Sequence, residues 1–173
     1  MLELIKEKLN QVCIIRNQEE LKQIKPTKIL SIDIETFGCN GEPGDCAASL
    51  HHGVNSIAIG DMFGDAWYVV VNDGRDVPGV PLSLFIDYLN SQLIPKISVL
   101  VLHNSKFDLS FLCRRGLLLP EKLKIIDTWV LASIRNEGIY KSSKLKEIVQ
   151  ERFKLATETK TQVDEYLEKI NSR

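Results

Sequence analysis

The sequence predicts an α/β fold in which helices flank a central mixed β-sheet. Apolar stretches of strand length come first, at residues 28–35, 56–64 and 66–72. A strand at 98–104 and a helix at 107–116 then follow one another. Strands that first form hairpins and later alternate with helices are typical of an α/β layer structure around a mixed sheet.

The first half of the chain contributes the predicted antiparallel strands. VCIIR (12–16) predicts a short strand, and Asn17 can cap a helix through EELKQI. Pro26 and Thr27 separate this helix from the strand at 28–35. The strands at 56–64 and 66–72 predict a hairpin with its turn near Gly64 and Asp65.

The second half contributes most of the predicted helices. PLSLFIDYLNSQLI (81–94) has helical periodicity, with Pro81 suited to the first turn. SVLVLHN (98–104) is apolar almost to its end, as in a strand buried on both faces, and Gly116 ends the following helix. Residues 124–135 are predicted to begin as a short strand and to end as a helix. A helix is also predicted in KLKEIVQERF, after a cap at Ser142 or Ser143. The remaining predicted helices are 158–170 and MLELIKEKLNQ.

The composition excludes several classes of protein. A chain of 173 residues, 44% hydrophobic and 26% charged, is expected to form one domain over residues 1–173. Its net charge of −1 argues against binding nucleic acid mainly by bulk positive charge. No apolar run is long enough to span a bilayer, so no membrane partner is expected. The four scattered cysteines and the absence of a secretory signal favour a cytoplasmic protein with reduced thiols.

A pair of carboxylates in KILSIDIETFG (28–38) stands out from its apolar surroundings. Side chains alternate along a strand, so Asp33 and Glu35 point to the same face of the sheet. Two like charges so close repel each other, and burying them is costly unless a cation compensates. Taken alone, such a pair is more often a solvent-exposed pair on a strand than a metal site.

A third carboxylate lies in HNSKFDLSFL (103–112), where a buried strand is followed by a helix. Open α/β sheets commonly bind ligands at such junctions. Asp108 falls in the first turn of that helix, where it could simply complement the helix dipole, an effect of about 0.3–1 kcal/mol.

Together, DIET (33–36) and HNSKFDLSFL resemble motifs I and II of the DEDD 3′–5′ exonucleases. The HN-x-KFD form most resembles the proofreading domain of family A, Pol I-like DNA polymerases, including those of phages. The resemblance extends from about residue 12 to about residue 155. It implies an RNase H-like exonuclease fold with a central mixed β-sheet flanked by helices.

The resemblance also implies a metal-dependent catalytic site. Asp33 and Glu35 match the carboxylates of motif I, and Asp108 matches that of motif II. In this family they hold two Mg²⁺ or Mn²⁺ ions, and hard divalent ions of this kind prefer carboxylate oxygens. Such a pair of ions activates a water and stabilises the leaving oxygen. Asp33 would bridge both ions, and Glu35 would also position the attacking water.

Further residues near these motifs are candidates for substrate binding. Asn104 would contact the substrate or brace the motif I strand, although a helix N-cap is an equally good interpretation. Thr36 and Phe37 follow the acids where this family meets the 3′-terminal nucleotide, and Phe37 could equally fill the loop. Phe107 flanks Asp108 and is more readily explained as a core residue, while Asp127 is interpreted as structural.

The third motif of the family is missing from the chain. It consists of an aspartate preceded four residues earlier by tyrosine or histidine, but Asp164 is preceded by Lys160. We expect this motif beyond Arg173, in a longer polymerase of which the chain would be an N-terminal fragment. A naturally reduced domain is the alternative. If the chain is such a fragment, the isolated chain is expected to bind metal weakly and to have little or no nuclease activity.

Residues 36–55 form a predicted loop insert with Cys39, Cys46, His51 and His52. Their spacing is loose for zinc, so a mobile loop beside the active site is the preferred interpretation. Basic side chains form two groups that could follow single-stranded DNA or simply belong to solvated helix faces: Arg114 and Arg115, and Lys141, Lys144, Lys146, Arg152 and Lys154.

The main hypothesis from the sequence is a proofreading domain that hydrolyses the 3′-terminal phosphodiester of DNA. Its partners would be a single-stranded DNA 3′ end and a polymerase domain in the same chain. The alternatives are a catalytically inactive exonuclease-like scaffold or nucleic-acid-binding module, and an RNase D-like RNA exonuclease.

Overall fold

The computed structural model describes most of the predicted α/β core of the chain. The chain divides into two units, Met1–Thr128 and Trp129–Arg173, and the expectation of one domain over residues 1–173 stays a prediction. The predicted helices at 1–11 and 158–170 and the cap at Ser142 or Ser143 lie outside the described residues. The described ranges are 12–25, 27–37, 53–74, 78–135 and 144–153.

The first unit contains a mixed sheet with the strand order β1-β4-β3-β2-β6-β7, and β5 pairs with β4. The pairs β2–β3 and β3–β4 are antiparallel, whereas β1–β4, β4–β5, β2–β6 and β6–β7 are parallel. This arrangement confirms the predicted fold class. The strands are β1 (Cys13–Ile15), β2 (Ile29–Phe37), β3 (Gly53–Asp61), β4 (Ala66–Asn72), β5 (Val80–Pro81), β6 (Val99–Leu102) and β7 (Lys124–Asp127).

Helices lie between β5 and β6 and between β6 and β7, where the sequence predicts them. The side chain of Asn17 caps a 3₁₀ helix by accepting a hydrogen bond from Glu20 N at 3.1 Å. No helix in the described ranges is both long and apolar enough to cross a bilayer. The helices are the 3₁₀ helix Gln18–Gln23, α1 (Leu82–Tyr88), which continues as a π-helix (Leu89–Leu93) and a 3₁₀ turn (Ile94–Lys96), α2 (Ser105–Arg114), α3 (Thr128–Arg135) and α4 (Leu145–Phe153).

Strand β2 has one buried face and one exposed face. Leu30, Ile32 and Ile34 lie in the hydrophobic core with at most 5% of each residue exposed. Asp33 and Glu35 alternate with them and are exposed. The strand period of two therefore separates the core-forming side chains from the two acids.

The hairpin of β3 and β4 turns at Gly64, whose φ of 84° suits a glycine. At the other end of these strands, β2 continues to Phe37 and β3 begins at Gly53. Both ends of the predicted loop insert 36–55 are therefore strand residues. The pairing there is irregular, because Glu35 pairs with Ser56 while Thr36 pairs with Val54. A bulge of this kind bends a sheet and commonly lies next to a functional site.

Asp73 joins the end of α2 to the start of β3. Its Oδ2 accepts hydrogen bonds from Val54 N at 2.9 Å and from Arg115 Nε at 3.1 Å, and it lies 2.9 Å from Arg115 Nη2. The guanidinium of Arg115 therefore has a structural partner, besides a position 5.9 Å from the Phe111 ring.

Replacing Arg115 by alanine is expected to lower the free energy of unfolding by about 1–2 kcal/mol, because a half-buried carboxylate loses its charged partner. Urea unfolding followed by circular dichroism measures this loss. Lys106→Ala is the control, since Lys106 is an exposed basic residue of α2. Equal losses in both variants would contradict the structural role of the Arg115–Asp73 pair.

Candidate active site

Three carboxylates lie on two neighbouring elements, where the centre of the sheet joins α2. Asp33 and Glu35 lie on β2, the strand that pairs in parallel with β6. Asp108 lies in the first turn of α2, the helix that follows β6. Because parallel strands end at the same edge of a sheet, the start of α2 comes to lie beside β2.

A hydrogen bond fixes the position of Asp108 relative to the other two acids. Its Oδ1 accepts from the backbone N of Ile34 at 3.0 Å, and Ile34 is the residue between Asp33 and Glu35. Asp108 is only 2% exposed. Its carboxylate therefore reaches from α2 to β2, which a role limited to complementing its own helix dipole would not require.

The surroundings of these acids disfavour their charged forms. Burial raises the pKa of Asp108 from 3.8 to about 7; the Ile34 hydrogen bond opposes this rise, and the charge of Asp33 adds to it. Asp33 keeps contact with solvent, but the partial loss of solvent around its carboxylate raises its pKa, and the nearby His103 lowers it. The pKa of Glu35 is raised by loss of solvent and by the charge of Asp33. The charge of Asp33 thus opposes ionisation of each of the other two carboxylates.

The donor set fits a hard divalent cation, although within the described ranges no three Asp, Glu, His or Cys side chains converge closely enough to hold one. The Ile34 amide holds one oxygen of Asp108, and the other oxygen is left for a cation. Among the described residues, none of the three acids forms an ion pair. Carboxylate oxygens with raised pKa values are ligands that bind a divalent ion more tightly as they lose their protons.

Asn104 lies at the start of α2 in a left-handed backbone conformation, with φ 65° and ψ 56°. It is the one residue other than glycine with a positive φ among those described. Its side chain makes no capping hydrogen bond and is exposed. Asp127 instead accepts hydrogen bonds from Asn104 N at 3.1 Å and Ser105 N at 2.8 Å. The N-cap interpretation of the Asn104 side chain is therefore wrong, and its substrate-binding role stays a prediction.

The other predicted substrate-binding residues lie in different surroundings. Thr36 is half-buried at the bulge of β2, and Phe37 pairs with Gly53 through its backbone, its side chain lying outside the described set. The ring of Phe107 lies 5.1 Å from that of Phe111, between centroids, and packs against the core. Phe107 is thus positioned by the core, whereas Thr36 lies beside the acids.

His103 belongs to the site but does not stand out in the sequence. It follows the apolar strand β6 directly, and its imidazole lowers the pKa of Asp33. Its Nδ1 lies 2.9 Å from Thr128 Oγ1. A polar residue at the end of a buried parallel strand was the available signal, because ligand sites of α/β sheets form there.

The remaining candidates are mostly not described. Cys39, Cys46, His51 and His52 lie outside the described residues, so the zinc alternative and the role of the loop stay predictions. Of the second basic group, Lys144 is described as exposed at the start of α4. Nothing is described of the side chains of Lys141, Lys146, Arg152 and Lys154.

Known structures share the fold of this chain, whereas no protein-family model and no curated protein sequence matches it. NrnC of Brucella melitensis with bound Mg²⁺ is 19% identical, with a TM-score of 0.55 over 84% of this chain and 62% of that one. Escherichia coli RNase D is 16% identical, with a TM-score of 0.57 over 87% and 36%. The Nibbler EXO domain of Aedes aegypti is 11% identical, with a TM-score of 0.56 over 82% and 67%.

These similarities are at the level of the fold, because all three identities are below 20%. The chain spans about 62% of the length of NrnC. The TM-scores of 0.55 to 0.57 over at least 82% of this chain are consistent with the fold that the sequence motifs imply. The chain therefore has the RNase H-like fold of the 3′–5′ exonucleases.

Proposed function

We propose that this chain is the nuclease domain of a metal-dependent 3′–5′ exonuclease. The observation that carries the proposal is the hydrogen bond from Ile34 N to Asp108, which joins the third acid to the strand between Asp33 and Glu35. Carboxylates with raised pKa values, on elements that are far apart in sequence but in contact in the fold, are typical of a catalytic site.

The proposed roles follow from the chemistry of each side chain. Asp33, Glu35 and Asp108 would hold one or two Mg²⁺ or Mn²⁺ ions, which supply an activated water and stabilise the leaving oxygen. Glu35 is exposed beside Asp33, where its carboxylate can orient the attacking water. Asn104 offers an exposed amide to the substrate at the start of α2. These groups together would act on a 3′-terminal phosphodiester.

RNA 3′ ends are the substrate that the fold relatives favour. RNase D is an exoribonuclease involved in structured RNA processing, and NrnC has also been crystallised bound to pGG. DNA proofreading is the second candidate, because the HN-x-KFD sequence at 103–108 most resembles polymerase proofreading domains. A polymerase domain in the same chain belongs to this second candidate.

A matched pair of single strands tests both candidates. RNA and DNA of identical sequence, labelled at the 5′ end, are incubated with the protein as its complete reading frame and Mg²⁺ or Mn²⁺. Stepwise shortening from the 3′ end that EDTA abolishes is the expected result, with RNA shortened faster than DNA. Faster shortening of DNA would favour proofreading instead. Binding of both strands without any shortening would identify a non-catalytic module and overturn the proposal.

The 173-residue chain gives a second comparison in the same assay. It lacks an aspartate preceded at four residues by tyrosine or histidine, so we expect it to be less active than a reading frame that supplies one after Arg173. Isothermal titration with Mn²⁺ measures metal binding in the two proteins. Equal affinity and equal activity would contradict the need for a further carboxylate.

A further inference from the structure

Two consecutive residues at the end of β7 hold the junction between β6 and α2 by side-chain hydrogen bonds. Asp127 contacts Asn104 and Ser105, and Thr128 contacts Leu102 and His103. We call Asp127 and Thr128 the 127–128 clamp. Leu102 and Asp127 are register partners in the parallel pair of β6 and β7, so the clamp begins where both strands end.

The Asp127 carboxylate occupies the N-terminus of α2. Its Oδ1 accepts from Asn104 N at 3.1 Å, and its Oδ2 accepts from Ser105 N and Ser105 Oγ, both at 2.8 Å. A carboxylate at this position satisfies backbone donors that lack partners within the helix, and it complements the helix dipole. A residue of another strand thus performs the capping that Asn104 at the cap position does not.

The Thr128 hydroxyl extends the same contact toward His103. Its Oγ1 donates to Leu102 O at 3.1 Å and lies 2.9 Å from His103 Nδ1. Because the hydroxyl has a single proton, donation to Leu102 O requires His103 Nδ1 to be the donor to Thr128. The clamp therefore fixes the orientation of the imidazole, with Nδ1 facing Thr128, beside Asp33.

The backbone of Asn104 explains why a clamp is needed. A left-handed conformation is unfavourable for residues other than glycine and persists where the surroundings enforce it. Asp127 accepts hydrogen bonds from Asn104 N and from Ser105 N. These two amides flank the φ and ψ angles of Asn104. With these bonds made by Asp127, the Asn104 side chain makes no capping hydrogen bond and is exposed, four residues before Asp108.

We propose that the 127–128 clamp positions His103 and Asn104 for binding the substrate strand. The inference rests on the proposed nuclease function and deepens it by adding two positioning residues that need not touch the substrate. Asp127 is not needed as a metal ligand, since hydrogen-bond donors already contact both of its oxygens.

Kinetics of four variants test the clamp. Thr128→Val removes the hydroxyl with little change of shape, and Thr128→Ser restores it. Asp127→Asn replaces one acceptor oxygen by a donor that faces backbone donors. Asn17→Ala is the matched control, because it removes a capping bond of 3.1 Å from the 3₁₀ helix at 18–23, outside the site. Thermal unfolding of each variant is recorded alongside.

Asp127→Asn and Thr128→Val are each expected to raise KM for the labelled oligonucleotide about tenfold, the lower end of the effect of removing such supporting contacts. Thr128→Ser should regain wild-type KM, and the metal concentration for half-maximal activity should stay unchanged in the Thr128 variants and in Asn17→Ala, none of which changes a charge. Anisotropy of the same oligonucleotide in Ca²⁺ gives binding without relying on turnover. If Asp127→Asn does not fold, the comparison of KM between Thr128→Val and Thr128→Ser still tests the clamp proposal.

Several results would overturn the clamp alone. They are an unchanged KM, a Thr128→Ser variant as impaired as Thr128→Val, an Asn17→Ala variant with the same rise in KM, or a change confined to the metal requirement. A wild-type protein that neither binds nor shortens any strand would instead overturn the proposed function, and the clamp proposal with it.

A double-mutant cycle separates positioning from general stability. Asn104→Gly removes the side chain and relieves the left-handed backbone. If Asp127 acts through Asn104, the effect of Asp127→Asn on KM should shrink to less than about twofold in the Asn104→Gly background. Additive effects would contradict a role through Asn104.

Discussion

Replacing Asp33 by asparagine is expected to reduce the rate of 3′-end shortening at least about 10³-fold, which corresponds to about 4 kcal/mol of transition-state stabilisation. Asparagine keeps the size of the side chain and can still coordinate weakly, but it removes the negative charge that a divalent ion requires. Asp33 interacts electrostatically with Glu35, with His103 and with Asp108. Its replacement therefore affects the whole group of acids.

The same substitution should leave the fold intact. Asp33 lies on the exposed face of β2, and removing its charge reduces repulsion within the site. We expect the thermal midpoint of the metal-free variant to be equal to or above that of the wild type. Circular dichroism measures the thermal midpoint, and the shortening assay measures the rate of cleavage on the same samples.

Asp87→Asn is the control for the Asp33 prediction. Asp87 is an exposed aspartate on α1, outside the acidic group, and its replacement should change the rate less than about twofold. An Asp33→Asn variant as active as Asp87→Asn would show that the observed cleavage does not depend on the proposed site, or that it comes from a contaminating nuclease.

The alternation along β2 is the part of the site that the sequence predicts best. Apolar residues at 30, 32 and 34 and acids at 33 and 35 follow a period of two, and a strand can satisfy that pattern only with its acids on one face. The junction of β6 and α2 was equally predictable, because an apolar run followed by a helical pattern marks the end of a parallel strand.

The contacts between distant segments could not be predicted in the same way. The bond from Ile34 N to Asp108 joins residues that are 74 positions apart, and it depends on the relative placement of two elements. The left-handed backbone at 104 was also hidden, since asparagine there fits a helix cap at least as well. In the sequence, Asp127 is only an aspartate at the end of a predicted strand. Its contact with the start of α2 depends on the pairing of β6 and β7.

These distant contacts share one physical origin. The ends of β6 and β7 are adjacent because the strands pair in register, and polar side chains just beyond those ends satisfy the exposed backbone groups of α2. A local sequence pattern specifies each strand separately, whereas the register emerges when the core packs. Local sequence patterns were therefore enough to predict the acids. The residues that support them could be identified only from the tertiary structure.

Asp108→Asn is expected to make the metal-free protein more stable at neutral and alkaline pH. The pKa of Asp108 is about 7 in the folded protein against an ordinary value of 3.8, so the folded state binds more protons than the unfolded state between these values. The free energy of unfolding therefore falls as the pH rises through this window. The difference corresponds to at most about 4 kcal/mol, and rearrangement of the site with entry of water would reduce it to roughly 2 kcal/mol.

Asparagine removes this cost while retaining an oxygen that can accept from Ile34 N. Urea unfolding in EDTA should give equal stabilities for the two proteins near pH 4 and an advantage for the variant that grows up to about pH 8. Excess Mn²⁺ should reverse the order, because the ion stabilises the wild type through a ligand that the variant has lost. A difference that is constant with pH, or a wild type that gains stability relative to Asp108→Asn between pH 5 and 8 in EDTA, would show that the Asp108 carboxylate is charged without cost and would remove the electrostatic reason for a cation at this site.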